Sequence, residues 1–266
     1  MPDIIRIDDP ADPRIAAYRD IRERDLVGRE GRFVAEGKVV LNVLFSAARF
    51  ETESLLVLEN RLAGLADLLP LVPHGVPVFV AAADVMDGIA GFHMHRGILA
   101  IGRRRRAQGI EEMLAALPDR ALVVALAGIA NHDNIGSIFR NAAAFGADAV
   151  VLDTTCCDPL YRKAIRVSVG AALKVPFGVA DDLDGMVGRL ADAGFDVLAL
   201  SPRGAIDIGA VPPSARVALL LGSEGDGLPE ALLARLKSVR IPMSPDFDSL
   251  NVAAASAVAL HRLWRG

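Results

Sequence analysis

From residue 121 to the end of the chain, short apolar runs alternate with stretches of helical spacing, and this alternation restricts the possible folds more than any other feature. Leu122 to Ala127 is a near-continuous apolar run, the pattern of a parallel strand buried on both faces, and it stops in the polar loop Gly128-Ile-Ala-Asn-His-Asp-Asn134. A helix is predicted over 135–145, with Gly146 as its stop signal. Further strands are predicted over 149–152, 175–178, 197–200, 217–221 and 239–241, with helices over 159–169, 183–193 and 250–264. Repeated strand, helix, strand order predicts an α/β doubly wound parallel sheet, which binds ligands at the carboxyl ends of its strands.

Two of those strand ends are unusual. Leu219-Leu-Leu-Gly-Ser-Glu-Gly-Asp-Gly-Leu-Pro229 and Ile241-Pro-Met-Ser-Pro-Asp-Phe-Asp-Ser-Leu-Asn251 each pass from an apolar run into a loop of Gly, Pro, Ser, Asp and Asn, then into a helical segment. The glycines that could cradle a ligand are therefore Gly222, Gly225 and Gly227, late in the chain. No G-x-G-x-x-G follows the first strand of the sheet and no G-x-x-x-x-G-K-S/T occurs anywhere, which argues against a dinucleotide enzyme or a P-loop NTPase.

The first third reads as a small α/β unit. Phe33-Val-Ala-Glu-Gly37 is a short strand with a glycine stop, and strand-like runs recur over 54–58, 76–80 and 97–102, with helical stretches over 13–26, 39–48, 62–69 and 83–88. Arginines and Lys38 are interleaved with acids from 14 to 38, a pattern that fits either a solvated helix face or a nucleic-acid contact. Arg103-Arg-Arg-Arg106 closes this unit. The expected organisation is a first domain over 1–106, a linker over 107–120 carrying a short helix, and a second domain over 121–266.

Charge and composition narrow the function. With 29 Lys and Arg against 33 Asp and Glu the formal net charge is −4, so any contact with nucleic acid must come from local patches. No apolar run approaches the roughly 18 residues of a membrane span, and the early Asp3, Arg6, Asp8 and Asp9 do not suit a signal peptide, so a cytoplasmic protein is expected. Cys156 and Cys157 are adjacent, which suits neither a disulfide framework nor zinc-ligand spacing; they read as small, partly buried residues, and no metal is expected.

Asn134 is placed to cap the helix over 135–145, Arg140 lies nearly two turns further on among Ile138, Phe139 and Ala142, Glu224 sits within the glycine loop, and Ser249 is placed to cap the last helix. Each has an ordinary structural reading when taken alone. Together, Asn134-Ile-Gly-Ser-Ile-Phe-Arg140, Leu220-Leu-Gly-Ser-Glu224-Gly-Asp-Gly-Leu-Pro229, and Ile241-Pro-Met243 with Ser249-Leu-Asn-Val252 resemble, in order and spacing, the three motifs of the SpoU (TrmH) family of RNA ribose methyltransferases in the SPOUT superfamily. Arg166-Val-Ser-Val-Gly170 and Val175-Pro-Phe177 are similar to the stretch between the first two motifs. The first third is similar to the ribosomal-protein-like substrate-binding domain that precedes the catalytic domain in many members.

That resemblance implies a Rossmann-like parallel sheet whose carboxyl-terminal part is tied into a deep trefoil knot, an exception to the rule that chains avoid knots. It implies S-adenosyl-L-methionine as cofactor, held by Leu221, Gly222, Glu224, Gly225, Ile241, Met243, Ser249, Leu250 and Val252. The implied catalytic set is Asn134, Arg140, Glu224 and Asn251, with Arg140 on the substrate phosphate. Arg29, Arg32, Lys38 and Arg140 are the candidate RNA contacts, and a homodimer is implied, assembled partly through the last helix. The implied reaction methylates a ribose 2'-hydroxyl, with ribosomal RNA preferred to transfer RNA. A non-catalytic RNA-binding or assembly factor and a base methyltransferase are the competing readings. Asp246 and Asp248 depart from the family pattern by placing acids near the expected RNA path.

Overall fold

The computed structural model describes residues 2–19, 31–47, 49–90, 97–105, 109–244, 246 and 248–264. In chain order the first stretch contributes β1 (Ile4–Ile7), β2 (Arg32–Glu36), α1 (Lys38–Ser46), β3 (Phe50–Leu58), β4 (Val78–Ala81), α2 (Ala83–Ala90) and β5 (Ile98–Arg104). There follow α3 (Ile110–Ala115), β6 (Ala121–Leu126), α4 (His132–Ala144), β7 (Ala149–Asp153), α5 (Arg162–Val167), α6 (Ala171–Lys174) and β8 (Phe177–Ala180). The remainder is α7 (Leu183–Asp192), β9 (Asp196–Leu200), β10 (Ile206–Asp207), β11 (Arg216–Leu221), α8 (Glu230–Arg235), β12 (Lys237–Arg240) and α9 (Val252–Leu263).

The chain divides into two compact units, Met1–Arg106 with Leu160–Lys174, and Ala107–Pro159 with Val175–Gly266. The first unit holds a five-stranded mixed sheet in the order β1-β4-β3-β5-β2, in which β4 runs parallel to β1 and β3 while β5 runs antiparallel to β3 and β2. One face buries Ile15, Tyr18, Leu56, Phe79, Met86 and Ile101 in a common core. Tyr18 shares a buried hydrogen bond of 2.8 Å with Ser54, so its hydroxyl is satisfied where water cannot reach it. Strand β1, only four residues long, is not among the strands expected from the sequence, and the helix expected over 13–26 begins instead as a 3-10 turn at Pro13–Tyr18, residues 20–30 lying outside those described. Over 62–69 the expected helix is replaced by 3-10 turns at Glu59–Leu65 and Leu69–Leu71.

The second unit holds a seven-stranded sheet, β10-β12-β9-β11-β6-β7-β8, with every pair parallel. Its central strands are buried along nearly their whole length, as continuous apolar runs require. From β6 the order runs outward through β7 to β8; β9 is then laid on the other side, and β11 fills the place between β9 and β6. The order therefore reverses at β11, where an open α/β sheet leaves a crevice at its carboxyl edge.

Two expectations about the domains change. The stretch expected as a linker over 107–120 contains α3, whose Ile110, Met113 and Leu114 enter the core of the second unit, because their i, i+3, i+4 spacing makes one apolar helix face. The helix expected over 159–169 is shortened to α5, the chain then turning at Val169 and Gly170, with φ of 54° and 85°, into α6, and both helices pack onto β2 and α1 as part of the first unit. The structure thus gives Leu160–Lys174 a different unit from the one its place in the sequence suggests.

Candidate active site at the carboxyl edge of the parallel sheet

Strands β6 and β11 end level, with Leu126 opposite Leu221, so the loops that follow them emerge side by side. Asn131 caps α4 by accepting a hydrogen bond of 2.9 Å from the Asp133 N–H. The cap expected at Asn134 therefore falls three residues earlier. Asn134 becomes a buried residue of the first helical turn whose amide is free of capping duty and turns toward the glycine loop. At the other end of the site Asn251 caps α9, accepting from the N–H groups of Ala253 at 2.9 Å and Ala254 at 3.2 Å. Ser249, expected as that cap, lies two residues before it on the cavity wall.

The three sequence motifs meet in a closed ring of side chains. The Asn134 Nδ2 donates to Glu224 Oε1. Asn251 Nδ2 donates to the same Glu224 oxygen at 3.0 Å and to Asn134 Oδ1 at 3.1 Å. Both amide orientations are thereby fixed, since each oxygen accepts and each nitrogen donates. Glu224 Oε2 has no hydrogen-bond partner among the described residues, which leaves an acceptor open at the edge of the ring.

Beside the ring is a cavity of about 660 Å³. Its lining includes all nine residues expected as cofactor contacts: Leu221, Gly222, Glu224, Gly225, Ile241, Met243, Ser249, Leu250 and Val252. Leu221, Ile241, Met243, Leu250 and Val252 supply apolar surface, while Glu224, Asp226 and Asp248 bring carboxylates, so the cavity suits a ligand with a flat apolar part and a cationic part. Gly222 is required by packing: a Cβ there would lie 2.6 Å from the Gly227 carbonyl carbon and 2.7 Å from the Leu228 nitrogen, both main-chain atoms. Gly227, at φ 69°, takes the left-handed conformation that turns the loop back against Gly222. Among the described residues no group of His, Cys, Asp and Glu is arranged to hold a metal ion.

Leu200, Ser201, Pro202 and Arg203, from the end of β9, also line the cavity, and nothing in the sequence motifs points to them. Their signal is the position of that strand end beside β11, which strand order reveals and a single sequence does not.

Arg140 is not part of the ring. It is exposed on α4, six residues from Asn134 and so turned to another side of the helix, and it makes no ion pair or hydrogen bond among the described residues. Of the other candidate RNA contacts, Arg29 lies outside the described residues, Arg32 pairs with Glu53 at 2.8 Å, and Lys38 pairs with Asp67 at 2.6 Å and donates to the Gly64 carbonyl.

The support behind the site is polar and ordered. Asn141 on α4 donates to the Ala253 carbonyl at 2.8 Å and to the buried Ser256 hydroxyl at 2.9 Å, clasping α4 to α9. Asp153, at the end of β7, accepts from the N–H groups of Gly128, Thr155 and Cys156 through one oxygen and so anchors the loop leading to α4. Cys156 joins the same loop, its sulfur accepting from the Ile129 N–H at 3.3 Å. Burial raises the Cys156 thiol to about 12 and the Cys157 thiol to about 11, which suits packing residues.

Known proteins resemble this chain in sequence and in fold. The chain is 42% identical to an uncharacterized tRNA/rRNA methyltransferase of Mycobacterium bovis, over 99% of this chain and 92% of that protein. It is 31% identical to the 23S rRNA (guanosine-2'-O-)-methyltransferase RlmB of Bordetella pertussis, over 72% of this chain and 79% of that one. Among solved structures, the AdoMet-bound rRNA methyltransferase from Sinorhizobium meliloti superposes with a TM-score of 0.80 at 23% identity, covering 98% of this chain and 97% of the other. The SpoU methyltransferase AviRb from Streptomyces viridochromogenes, in complex with the cofactor AdoMet, superposes with a TM-score of 0.77 at 22% identity, covering 95% and 97%. The family model for the SpoU rRNA methylases matches residues 121–261, the span that contains both cavity and ring, and the chain belongs to that family.

Proposed function

We propose that this chain is an S-adenosyl-L-methionine-dependent RNA methyltransferase that acts on a ribose 2'-hydroxyl, with ribosomal RNA preferred to transfer RNA. The observation that carries the reading is the ring of Asn134, Glu224 and Asn251 beside the cavity formed by the glycine loop and the β12–α9 link. When bound, the cofactor supplies an activated methyl group. Leu221, Gly222, Gly225, Ile241, Met243, Ser249, Leu250 and Val252 would hold it, and the Glu224 carboxylate would offset its positive charge.

The chain's own task is to align a weak nucleophile and take its proton. Asn134, held by Glu224 and Asn251, presents a fixed amide and costs little reorganisation when the substrate arrives. Arg140 binds the phosphate next to the target ribose; a guanidinium gives up its proton reluctantly, so positioning is its main contribution. The first unit contributes RNA contacts through Arg29, Arg32 and Lys38. Arg32 and Lys38 can exchange carboxylate partners for phosphates at little cost, because surface ion pairs are worth only about 0–1 kcal/mol.

The reading includes the family's trefoil knot, for which the close main-chain approach at Gly222 and the clasp of α9 onto α4 are supporting features. It also includes a homodimer. Exposed Val258 and Trp264 on and after α9, and the position of Arg140 away from the ring, fit a site completed by a second copy. The preference for ribosomal RNA leans on the 23S rRNA activity named for the Bordetella pertussis relative. Ribose-methylation mapping of total RNA from cells with and without the gene tests the proposal: one missing 2'-O-methyl in ribosomal RNA is expected, and an unchanged ribose-methylation map with a lost base methyl would refute it.

A further inference from the structure

The end of β9 brings to the cavity a turn that no sequence motif marks, Ser201-Pro-Arg-Gly204. The Gly204 N–H donates to the Ser201 carbonyl at 3.0 Å and the Arg203 N–H to the Ser201 hydroxyl at 3.3 Å, so the turn is closed on itself. It is also pinned to β12. The Ser201 N–H donates to the Val239 carbonyl at 2.9 Å and the Ala205 N–H to the Ser238 hydroxyl at 3.1 Å. Arg240 Nη1 donates to the carbonyls of Gly204 at 2.7 Å and Ala205 at 2.9 Å. A Cβ at Gly204 would fall on the main chain of Val239 and Arg240, so only glycine permits this approach. Arg203 is thereby held on a fixed turn with its side chain exposed.

Among the described residues that line the cavity Arg203 is the only cation, set against the carboxylates of Glu224, Asp226 and Asp248. None of the nine motif residues expected as cofactor contacts is cationic. S-adenosylmethionine carries positive charge on its sulfur and its amino group, and a carboxylate at the end of its methionine chain. The acids suit the two cationic groups and repel the carboxylate. That group therefore has one complementary partner in the cavity, a guanidinium whose parallel N–H groups match its two oxygens. Arg203 can take it at little cost. Its present pairing, with Glu230 at 3.5 Å, joins side chains that are 80% and 84% exposed, and an ion pair of that kind contributes almost nothing.

We infer that Arg203 is the residue that selects for the carboxylate of the cofactor, exchanging Glu230 for it when S-adenosylmethionine binds. The inference rests on the methyltransferase reading and adds to it a partner for the end of the cofactor that the motifs leave without one. The carboxylate is remote from the transferred methyl, so Arg203 sets affinity and discrimination and stays outside the chemical step.

The test is titration calorimetry on the full chain with two ligands that differ only in that group, S-adenosylmethionine and its decarboxylated form. The parent is compared with Arg203→Gln, Arg203→Lys and Arg235→Gln. Arg235 pairs with Asp184 and is not among the cavity-lining residues, so its variant removes an equal charge elsewhere in the same unit. In Arg203→Gln the preference for the carboxylated ligand is expected to fall roughly tenfold, because S-adenosylmethionine binds more weakly while the decarboxylated form does not. KM for S-adenosylmethionine should rise by the same factor with kcat unchanged. Arg203→Lys, which keeps the charge without the planar fork, should fall between the parent and Arg203→Gln. A preference within twofold of the parent in Arg203→Gln, equal weakening of both ligands as damage to the turn would give, or the same fall in Arg235→Gln would overturn the inference and leave the methyltransferase reading standing. A parent chain that binds neither ligand would bring down both.

Discussion

Asn251 performs two tasks that substitution can separate. Its side-chain oxygen caps α9 through two main-chain N–H groups, and its nitrogen closes the ring onto Asn134 and Glu224. Asn251→Ser keeps a capping oxygen but cannot reach the ring; Asn251→Ala removes both. Opening the ring takes from the buried Asn134 Oδ1 its donor among the described residues, a cost of about 1–2 kcal/mol, whereas water can replace the bond at the exposed Glu224. Removing the cap adds about 1 kcal/mol. In a unit of this size 1 kcal/mol moves the melting temperature by about 2–4 °C, so the serine variant should melt roughly 2–8 °C below the parent and the alanine variant a further 2–4 °C below that. Titration calorimetry with S-adenosylmethionine should show both variants equally weakened, because the ring is open in both. Equal melting of the serine and alanine variants, or parental cofactor affinity in the serine variant, would refute this division of labour.

Three further outcomes follow from the same geometry. Gly222→Ala should abolish measurable cofactor binding and cost about 1–3 kcal/mol of stability, since its Cβ would press on main chain at Gly227 and Leu228 that cannot rotate away; calorimetry and thermal melting check it. Arg140→Ala should leave melting and cofactor affinity at parental values, because the side chain is exposed and outside the ring, yet lower methyl transfer at least a hundredfold, or roughly 2.7 kcal/mol of transition-state stabilisation. The two thiols, raised to about 12 and about 11, are protonated at neutral pH and ionise only as pH rises toward those values; at pH 8 about one Cys156 in ten thousand is thiolate, so reaction with Ellman's reagent should be far slower than for free cysteine until the chain is unfolded.

The second unit's sheet is legible in the sequence because each central strand is buried on both faces and each helix has an apolar stripe, so two periods write themselves into the residues without interference. The ring residues are also legible, but as members of motifs. Their geometry is not, because the contacts of Asn134 with Glu224 and Asn251 span 90 and 117 residues. Both caps fall away from their expected positions for a shared physical reason. Asn131 and Asn251 are as good at capping as the residues expected there, and which polar residue takes the cap depends on where the loop is pinned, here by Asp153 below Gly128 and by Asn141 against Ala253. The assignment of Leu160–Lys174 is hidden for a different reason. A short amphipathic helix shows that it has an apolar face, never which sheet will cover it.

If the cavity and ring make a ribose methyltransferase site, the chain transfers a methyl group to a 2'-oxygen of RNA. The most direct measurement is to incubate the purified chain with methyl-tritiated S-adenosylmethionine and total RNA, then hydrolyse the product in alkali. A methyl on the 2'-oxygen blocks strand cleavage at that nucleotide, so tritium is expected in alkali-stable dinucleotides derived from ribosomal RNA, absent with Asn134→Ala and Arg140→Ala. Tritium in mononucleotides, carried on a base, or no tritium in RNA from a chain that binds the cofactor, would contradict it.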